Sequence, residues 1–312
     1  MLGPLVTHSP FTTSLIVRSG ATQTKVVADA HQIVLEVAMP RLAGPESERI
    51  MDGGSASRES MFHILRGPDF VAGVGLGEPD QPPQEAARSL YTTLLSQLGN
   101  HQLQRVWNYL PDINRQVDGI ENYQAFNAGR YEAFKNHFGE DLHPRLPAAS
   151  AVGTRGGRLS VVFLAGSGPM QHFENPEQIP ALQYPSAYGS VPPAFARGTL
   201  VERPDGRSWF LSGTASIKGH ATQGADIHEQ LQLTLDNVQI MFRRMGLPPE
   251  VAASSKVFLR HASDLPVVRA AFEKAFPAFA PDAMFVLADI CRSDLLLEME
   301  ASCRSINFLK VS

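Results

Sequence analysis

The sequence predicts an α+β fold made by internal duplication of one strand-rich unit, and three observations carry that expectation. The order strand, strand, helix, strand, helix, strand can be read twice along the 312 residues. Pro147-Ala-Ala and Pro281-Asp-Ala each lead through a turn into an apolar strand, so the closing segments of the two halves also align. Between the halves runs a stretch dense in Pro, Gly and Tyr, residues 166–196, of a length that usually marks a lid or a binding loop. The expected division is 1–165 and 166–312, a duplication of a large unit and not a short solenoid repeat.

The elements follow from local pattern. Up to about Thr24 the chain is rich in Pro, Ser and Thr around one apolar run, Leu15-Ile-Val, and from Thr24 to Met39 it reads as strand or mixed structure. Pro40 to Ser60 carries few large apolar side chains and is expected to be a loop. Phe62–Arg66 and Phe70–Leu76 read as strands joined at Gly67-Pro68. Pro82-Pro83 opens a helix with Ala86, Leu90, Leu94 and Leu98 at helical spacing and Gly99 as its stop. A strand over Leu103–Leu110 ends at Pro111, a helix over Glu121–Phe138 ends at Gly139, and strands follow at Ala148–Thr154 and Leu159–Ala165. In the second half, Gly198–Arg203 and Ser208–Ile217 form a hairpin turning at Pro204-Asp-Gly206. Asp226 caps a helix to Met245, Lys256–Arg260 is a strand, Pro266–Phe276 a helix, and Ala283–Cys303 a long closing strand.

Hydrophobic content of 43% and a net charge of −4 fit a globular protein and give no general reason to expect nucleic acid or an anionic membrane as partner. The two cysteines form no metal-like pair, and no leader pattern or long apolar run is evident, so a reduced, cytoplasmic protein is expected. A monomer or small homo-oligomer is the expected state. Dinucleotide, Walker, zinc-protease and nucleophile-elbow motifs are absent and the ten histidines form no ligand-spaced cluster, which leaves an enzyme without metal or cofactor, or a binding protein.

The chemical centre is placed near the C-terminus, in Cys291 to Glu300. Alternation on a strand puts Leu295, Leu297, Met299 and Ala301 on one face and Leu296, Glu298 and Glu300 on the other. Two carboxylates there mean either a wet sheet face or the wall of a cleft. In an apolar cleft Glu298 would have a raised pKa and serve as a proton donor. Ser293-Asp294 reads as a kink that brings Cys291 to the same place, although a buried Cys is more often a small hydrophobe. Tyr123 and Arg130 lie two turns apart on one helix face, which suits a carboxylate ligand but equally a half-buried Tyr and a solvated Arg. Arg155 and Arg197 are surface residues or further anion donors, and Tyr188 is a loop packing residue or a substrate contact. Gly213 within a strand marks a bulge, a close approach, or crowding by a neighbouring helix.

Four segments resemble the chorismatases: Arg105-Val-Trp-Asn-Tyr-Leu-Pro111, Glu121-Asn-Tyr-Gln-Ala-Phe-Asn-Ala-Gly-Arg130, Ser212-Gly-Thr-Ala-Ser-Ile217 and Cys291-Arg-Ser-Asp-Leu-Leu-Leu-Glu298. The resemblance runs from about Met61 onward. Leu297-Glu-Met-Glu-Ala301 is also similar to the closing strand of the YjgF/RidA-like fold, which implies two such units, mixed sheets covered by helices on one face, with a cleft closed by loops. The resemblance implies Glu298 as catalytic acid, Tyr123 and Arg130 as substrate-binding groups, and Tyr188, Arg197 and Arg155 as further contacts. A Cys at 291, with Gly213, resembles the branch that makes 3-hydroxybenzoate, alone or with 4-hydroxybenzoate. The implied activity is cleavage of chorismate to pyruvate and that product, without cofactor. The alternatives are the branch that hydrolyses chorismate to a cyclohexadiene diol, a RidA-like imine hydrolase, and a small-acid binding protein.

Overall fold

The computed structural model describes residues 13–203, 206–248 and 254–306. The N-terminal segment forms β1 (Ser14–Ser19), β2 (Lys25–Ala28), β3 (Gln32–Val37), β4 (Arg41–Ala43) and β5 (Ser47–Asp52). The first unit continues with β6 (Ser55–Glu59), β7 (Phe62–Arg66), β8 (Phe70–Leu76), α1 (Pro83–Ser96) and β9 (Gln102–Pro111). A two-residue ribbon, β10 (Gln116–Val117) and β11 (Ile120–Glu121), then leads into α2 (Asn122–Phe138), β12 (Ala148–Thr154) and β13 (Ser160–Gly166). The second unit holds β14 (Met170–Phe173), β15 (Gly198–Arg203), β16 (Gly206–Ala215), the ribbon β17 (Ile217–Lys218) and β18 (Ala221–Thr222), and α3 (Ile227–Arg244). It ends with β19 (Ser254–Leu259), α4 (Leu265–Ala275), β20 (Ala283–Leu287) and β21 (Leu297–Ile306).

The strand order of the two large sheets is consistent with a duplication. One sheet runs β12-β9-β13-β8-β7-β6 and the other β14-β15-β16-β21-β19-β20-β4. In the first, β9 lies between its parallel neighbour β12 and its antiparallel neighbour β13. In the second, β19 lies between parallel β20 and antiparallel β21 in the same way. A fourth edge, β4, comes from the N-terminal segment and pairs with β20. The remaining N-terminal strands form a sheet of order β2-β3-β1-β5.

Each large sheet buries one face under its helices. Leu90, Leu94, Phe126 and Phe134 of α1 and α2 cover Val106, Val161 and Phe163. Leu235, Val238 and Phe242 of α3 and Phe272 of α4 cover Trp209, Val257, Leu297 and Met299. Gly129 lets α2 lie against α1, since a Cβ there would collide with the Gln84 carbonyl. Asp226 caps α3 by accepting from the His228 and Glu229 amides. The bare faces of the two sheets meet in a third core, with Trp107, Val162 and Leu164 from one and Phe210, Phe258 and Val286 from the other. Leu15, Ile33, Leu35 and Ile50 of the N-terminal sheet complete it.

Three expectations are corrected. Residues 40–60 are not a loop but carry β4, β5 and β6. Their apolar signal is weak because β6 is largely exposed and β5 turns Glu48 inward as well as Ile50. The closing segment is two strands and not one, because β20 runs parallel to β19 and β21 antiparallel to it on the other side, so residues 288–296 must cross the end of β19. The 166–196 stretch contains β14, paired with β15. The expected turn at Pro204-Asp205 and the residues before Thr13 lie outside the described residues.

An ion cluster holds the three sheets together inside the third core. Lys256 Nζ on β19 lies 2.5 Å from Glu48 Oε2 on β5 and 3.0 Å from Glu300 Oε1 on β21. Arg105 on β9 donates to Glu300 Oε2 at 2.7 Å, and Trp107 Nε1 donates to Oε1 at 3.1 Å. Burial opposes charge on Lys256, but the two carboxylates outweigh it and hold the ammonium well above its ordinary value. Removing one partner of such a group strands the others, typically at a cost of about 3–5 kcal/mol. Lys256→Met is therefore expected to lower unfolding free energy by that order in urea denaturation, and adding Glu48→Gln to recover part of the loss.

Candidate active site

The elements above converge on a cleft at the seam between the two units, enclosing about 920 Å³ of empty space including its mouth. Helix α2 supplies Tyr123 and Arg130, β12 supplies Ala149 and Ser150, and the 166–196 connection supplies Tyr184, Tyr188 and Phe195. Arg197 stands just before β15, Gly213 on β16, Cys291 and Arg292 on the loop before β21, and Glu298 on β21.

Glu298 sits on the inter-sheet face of β21, 4% exposed, while Leu297 and Met299 point into the helix-covered core. Both acids of the alternating pair are buried, so this face is a cleft wall and not a wet surface. They are treated differently. Burial would raise both, but Lys256 and Arg105 override it at Glu300 and hold that carboxyl below its ordinary value. Among the described residues Glu298 has no such ring of donors, and its Oε1 is buried without a hydrogen-bond partner. Burial first, and then the negative charge of Glu300, push it up to about 8, against a partial offset from Arg105 and Arg197.

The backbone makes room for this carboxyl. The pairing of β16 with β21 slips between Leu211 and Thr214, which leaves Ser212-Gly213 as a bulge beside Glu298. A side chain at Gly213 would run into the Glu298 carboxylate. The bulge is tied to the first unit: the Gly213 amide donates to Ser150 Oγ at 2.9 Å, and Arg105 donates to the same oxygen at 2.6 Å. Ser212 Oγ accepts from the Ala149 amide at 2.9 Å.

Cys291 Sγ lies 4.0 Å from Glu298 Oε2. Enclosure of the thiol and the neighbouring Glu298 push it up to about 12, so at neutral pH it is a protonated, weakly polar group and not a thiolate. Burial and the nearby Cys291 likewise hold the Tyr123 phenol well above its ordinary value, as a proton-bearing donor.

Among the described residues, three cations face the cleft. Arg130 is 1% exposed, stacks its guanidinium 4.9 Å over Phe126, and donates to Asn127 Oδ1 at 2.8 Å. Arg197 is 5% exposed and donates to Tyr184 Oη at 2.6 Å. Arg292 lies 4.1 Å over the Tyr188 ring and 5.3 Å over Tyr184. Among the described residues the Nε atoms of Arg130 and Arg197 have no hydrogen-bond partner, although Arg197 Nε lies 4.0 Å from Glu174 Oε2. With Glu298 protonated, the cleft holds a surplus of positive charge, an arrangement suited to an anion with more than one carboxylate.

Of the residues singled out in the sequence, Glu298, Cys291, Tyr123, Arg130, Tyr188, Arg197 and Gly213 line this one cleft. Arg155 does not. It is exposed on the turn after β12, where its amide donates to the Ala38 carbonyl. That turn crosses the end of β9 as the Cys291 loop crosses the end of β19, so Arg155 occupies the first unit's counterpart of the site loop. Sequence reasoning passed over Arg292, Tyr184, Phe195 and Ser150. Arg292 stands next to Cys291 and Tyr184 opens the Tyr-Pro-Ser-Ala-Tyr run, so adjacency to residues already chosen was the available signal.

The raised Glu298 value has a thermodynamic consequence. Between its ordinary value of 4.5 and about 8, the folded protein holds a proton that the unfolded chain has lost, so this group's contribution to stability declines as pH rises through that window. Relative to Glu298→Gln, the wild type is expected to lose stability between about pH 5 and about pH 8 in paired urea titrations. A pH-independent difference between the two proteins would place the proton elsewhere.

The comparisons with known proteins fall on one family. The model of the family described as "Chorismatase FkbO/Hyg5-like, N-terminal" matches residues 55–165. A 3-hydroxybenzoate synthase of Streptomyces hygroscopicus is 38% identical over 237 residues, covering 69% of this chain and 68% of the relative. A chorismatase of Streptomyces rapamycinicus is 34% identical over 254 residues, 75% of each chain. The crystal structure of a chorismatase superposes with a TM-score of 0.81 over 97% of this chain and 96% of its own, at 27% identity. With relatives of this identity over more than two thirds of their length, and a fold matched nearly end to end, the chain belongs to the chorismatase family of enzymes.

Proposed function

We propose that the cleft cleaves chorismate to pyruvate and 3-hydroxybenzoate, with Glu298 as the proton donor. The observation that carries this reading is a buried carboxyl kept protonated near neutral pH among three arginines. Chorismate is a dicarboxylate with an enolpyruvyl ether. Arg130, Arg197 and Arg292 supply charge for its carboxylates, with Tyr123 as a neutral donor. Proton transfer from Glu298 to the methylene carbon of the enol ether makes the ether carbon an oxocarbenium ion. Attack on that carbon by the ring hydroxyl or by water leads to release of pyruvate. Rearrangement to pyruvate and 3-hydroxybenzoate consumes no net water, whereas hydrolysis consumes one and gives the dihydroxycyclohexadiene acid.

Cys291 decides between these outcomes by occupying space beside Glu298. Its thiol is protonated, which favours volume and weak polarity over covalent attack as the means. The 3-hydroxybenzoate synthase named among the relatives agrees with this branch. The test is incubation of the purified protein with chorismate, with pyruvate followed enzymatically and ring products separated by chromatography. Pyruvate release with 3-hydroxybenzoate as the main ring product is expected; absence of pyruvate release would overturn the reading.

Glu298→Gln is expected to slow pyruvate release by roughly 10²–10⁴-fold. The wild-type rate should fall on an alkaline limb near pH 8, as the donor loses its proton. Cys291→Ala should keep pyruvate release and shift the ring product toward the dihydroxycyclohexadiene acid, since it frees space of the order of the ~30 Å³ that one water occupies. Unchanged product from that variant would reduce Cys291 to packing.

A further inference from the structure

The loop that carries Cys291 and Arg292 has an unusual problem of satisfaction. Residues 288–296 cross over the end of β19, and several of their carbonyls turn inward toward one point where no strand can serve them. Arg260, the first residue after β19, occupies that point with its side chain 13% exposed. Its Nε donates to Leu295 O at 2.7 Å, and its Nη2 to Arg292 O at 2.8 Å and Ile290 O at 3.4 Å. Its Nη1 pairs with Asp289 at 2.5 Å, and its own amide donates to Leu296 O at 3.0 Å. The loop is thus gripped at both ends and in the middle by one guanidinium.

The same group reaches the first unit. Arg260 Nη2 donates to Asn114 Oδ1 at 3.3 Å, and Asn114 Nδ2 donates to Ile290 O at 3.0 Å and to Glu121 Oε1 at 2.9 Å. Glu121 lines the cleft, whereas Arg260 and Asn114 do not. Only a planar fork of N–H donors can serve acceptors spread over this arc; a lysine ammonium, a point charge on a flexible stem, reaches a part of them.

We infer that Arg260 is a positioning residue for the reaction, which holds Cys291 and Arg292 at their places in the cleft and so governs which ring product leaves. Its product readout rests on the chorismate reading above. It touches no substrate, and its effect passes through the loop.

Arg260→Met is the test, with Arg269→Met on the exposed face of α4 as a control for loss of a surface guanidinium. Misplacement of groups in a site by about 1 Å can cost of the order of 10²-fold, so a fall in pyruvate release of roughly 10- to 100-fold is expected. The product ratio should move toward the dihydroxycyclohexadiene acid, and millimolar methylguanidinium should restore part of both. N-ethylmaleimide should label Cys291 faster, read by peptide mass spectrometry apart from Cys303, and hydrogen exchange should rise in 288–296 alone. An unchanged product ratio and labelling rate, or exchange that rises throughout both sheets, would overturn the assignment. If Arg260→Met does not fold, Arg260→Lys carries the same readouts, with an intermediate shift expected and wild-type values counting against it. If the wild type releases no pyruvate from chorismate, the substrate reading fails by itself, while labelling and exchange still decide the role of Arg260.

Discussion

Two carboxyl groups two places apart on the same face of a strand, enclosed between sheets, cannot both be left charged without partners. The rest of this molecule is arranged around how that conflict is resolved at Glu298 and Glu300. Among the described residues, the nearby cations that make contact go to Glu300: Lys256 from the same sheet and Arg105 from the other. Glu298 is left with a bulged strand, a glycine and a thiol, and the cheapest state for it is the protonated one. A structural ion cluster and a chemical group are thus two halves of one electrostatic arrangement.

The strand order that recurs in the two large sheets is used asymmetrically. In each unit the chain crosses the end of a central strand to pass from the parallel neighbour to the antiparallel one. In the second unit that crossing carries Cys291 and Arg292 into the seam. In the first it is a turn with Arg155 and two glycines, which does not line the cleft. The first unit contributes instead through α2 and β12. Neither unit holds the constellation alone, since the acid comes from β21 while Tyr123, Arg130 and Ser150 come from the other half.

Much of this was legible in the sequence. Alternation assigned Leu297 and Met299 to one face and Glu298 and Glu300 to the other, and the faces are as the alternation required. Helical spacing put Tyr123 and Arg130 together because two turns of helix is a local relation. What escaped had long-range causes. Of the strands within residues 40–60, β4 and β5 are stabilised by partners far along the chain, β4 by β20 and Glu48 of β5 by Lys256, so their own composition looks like a loop. Arg105 and Lys256 read as ordinary strand residues, and nothing local shows that they meet the same carboxylate. Arg155 follows a strand end as the sequence reading required, but that local relation does not show which way the turn faces, and it does not line the cleft.

The ion cluster has a further bearing on how the chain assembles. Arg105 and Glu300 are 195 positions apart, and Ser302 reaches the Glu48 carboxylate across 254. Contacts of such separation form slowly, because long stretches of chain must close before any reward is gained. A half-formed protein with only one sheet in place leaves the inter-sheet face open to water, so the apolar and ionic contacts across the third core are gained only when both sheets are present, and the two halves are bound into one cooperative transition despite their separate cores. During synthesis, the first unit must wait with Arg105 and Trp107 uncovered until β19 and β21 have been made. The cleft at the seam is therefore among the last features of the molecule to exist, and the burial that raises the Glu298 carboxyl is complete only when the whole chain has closed around it.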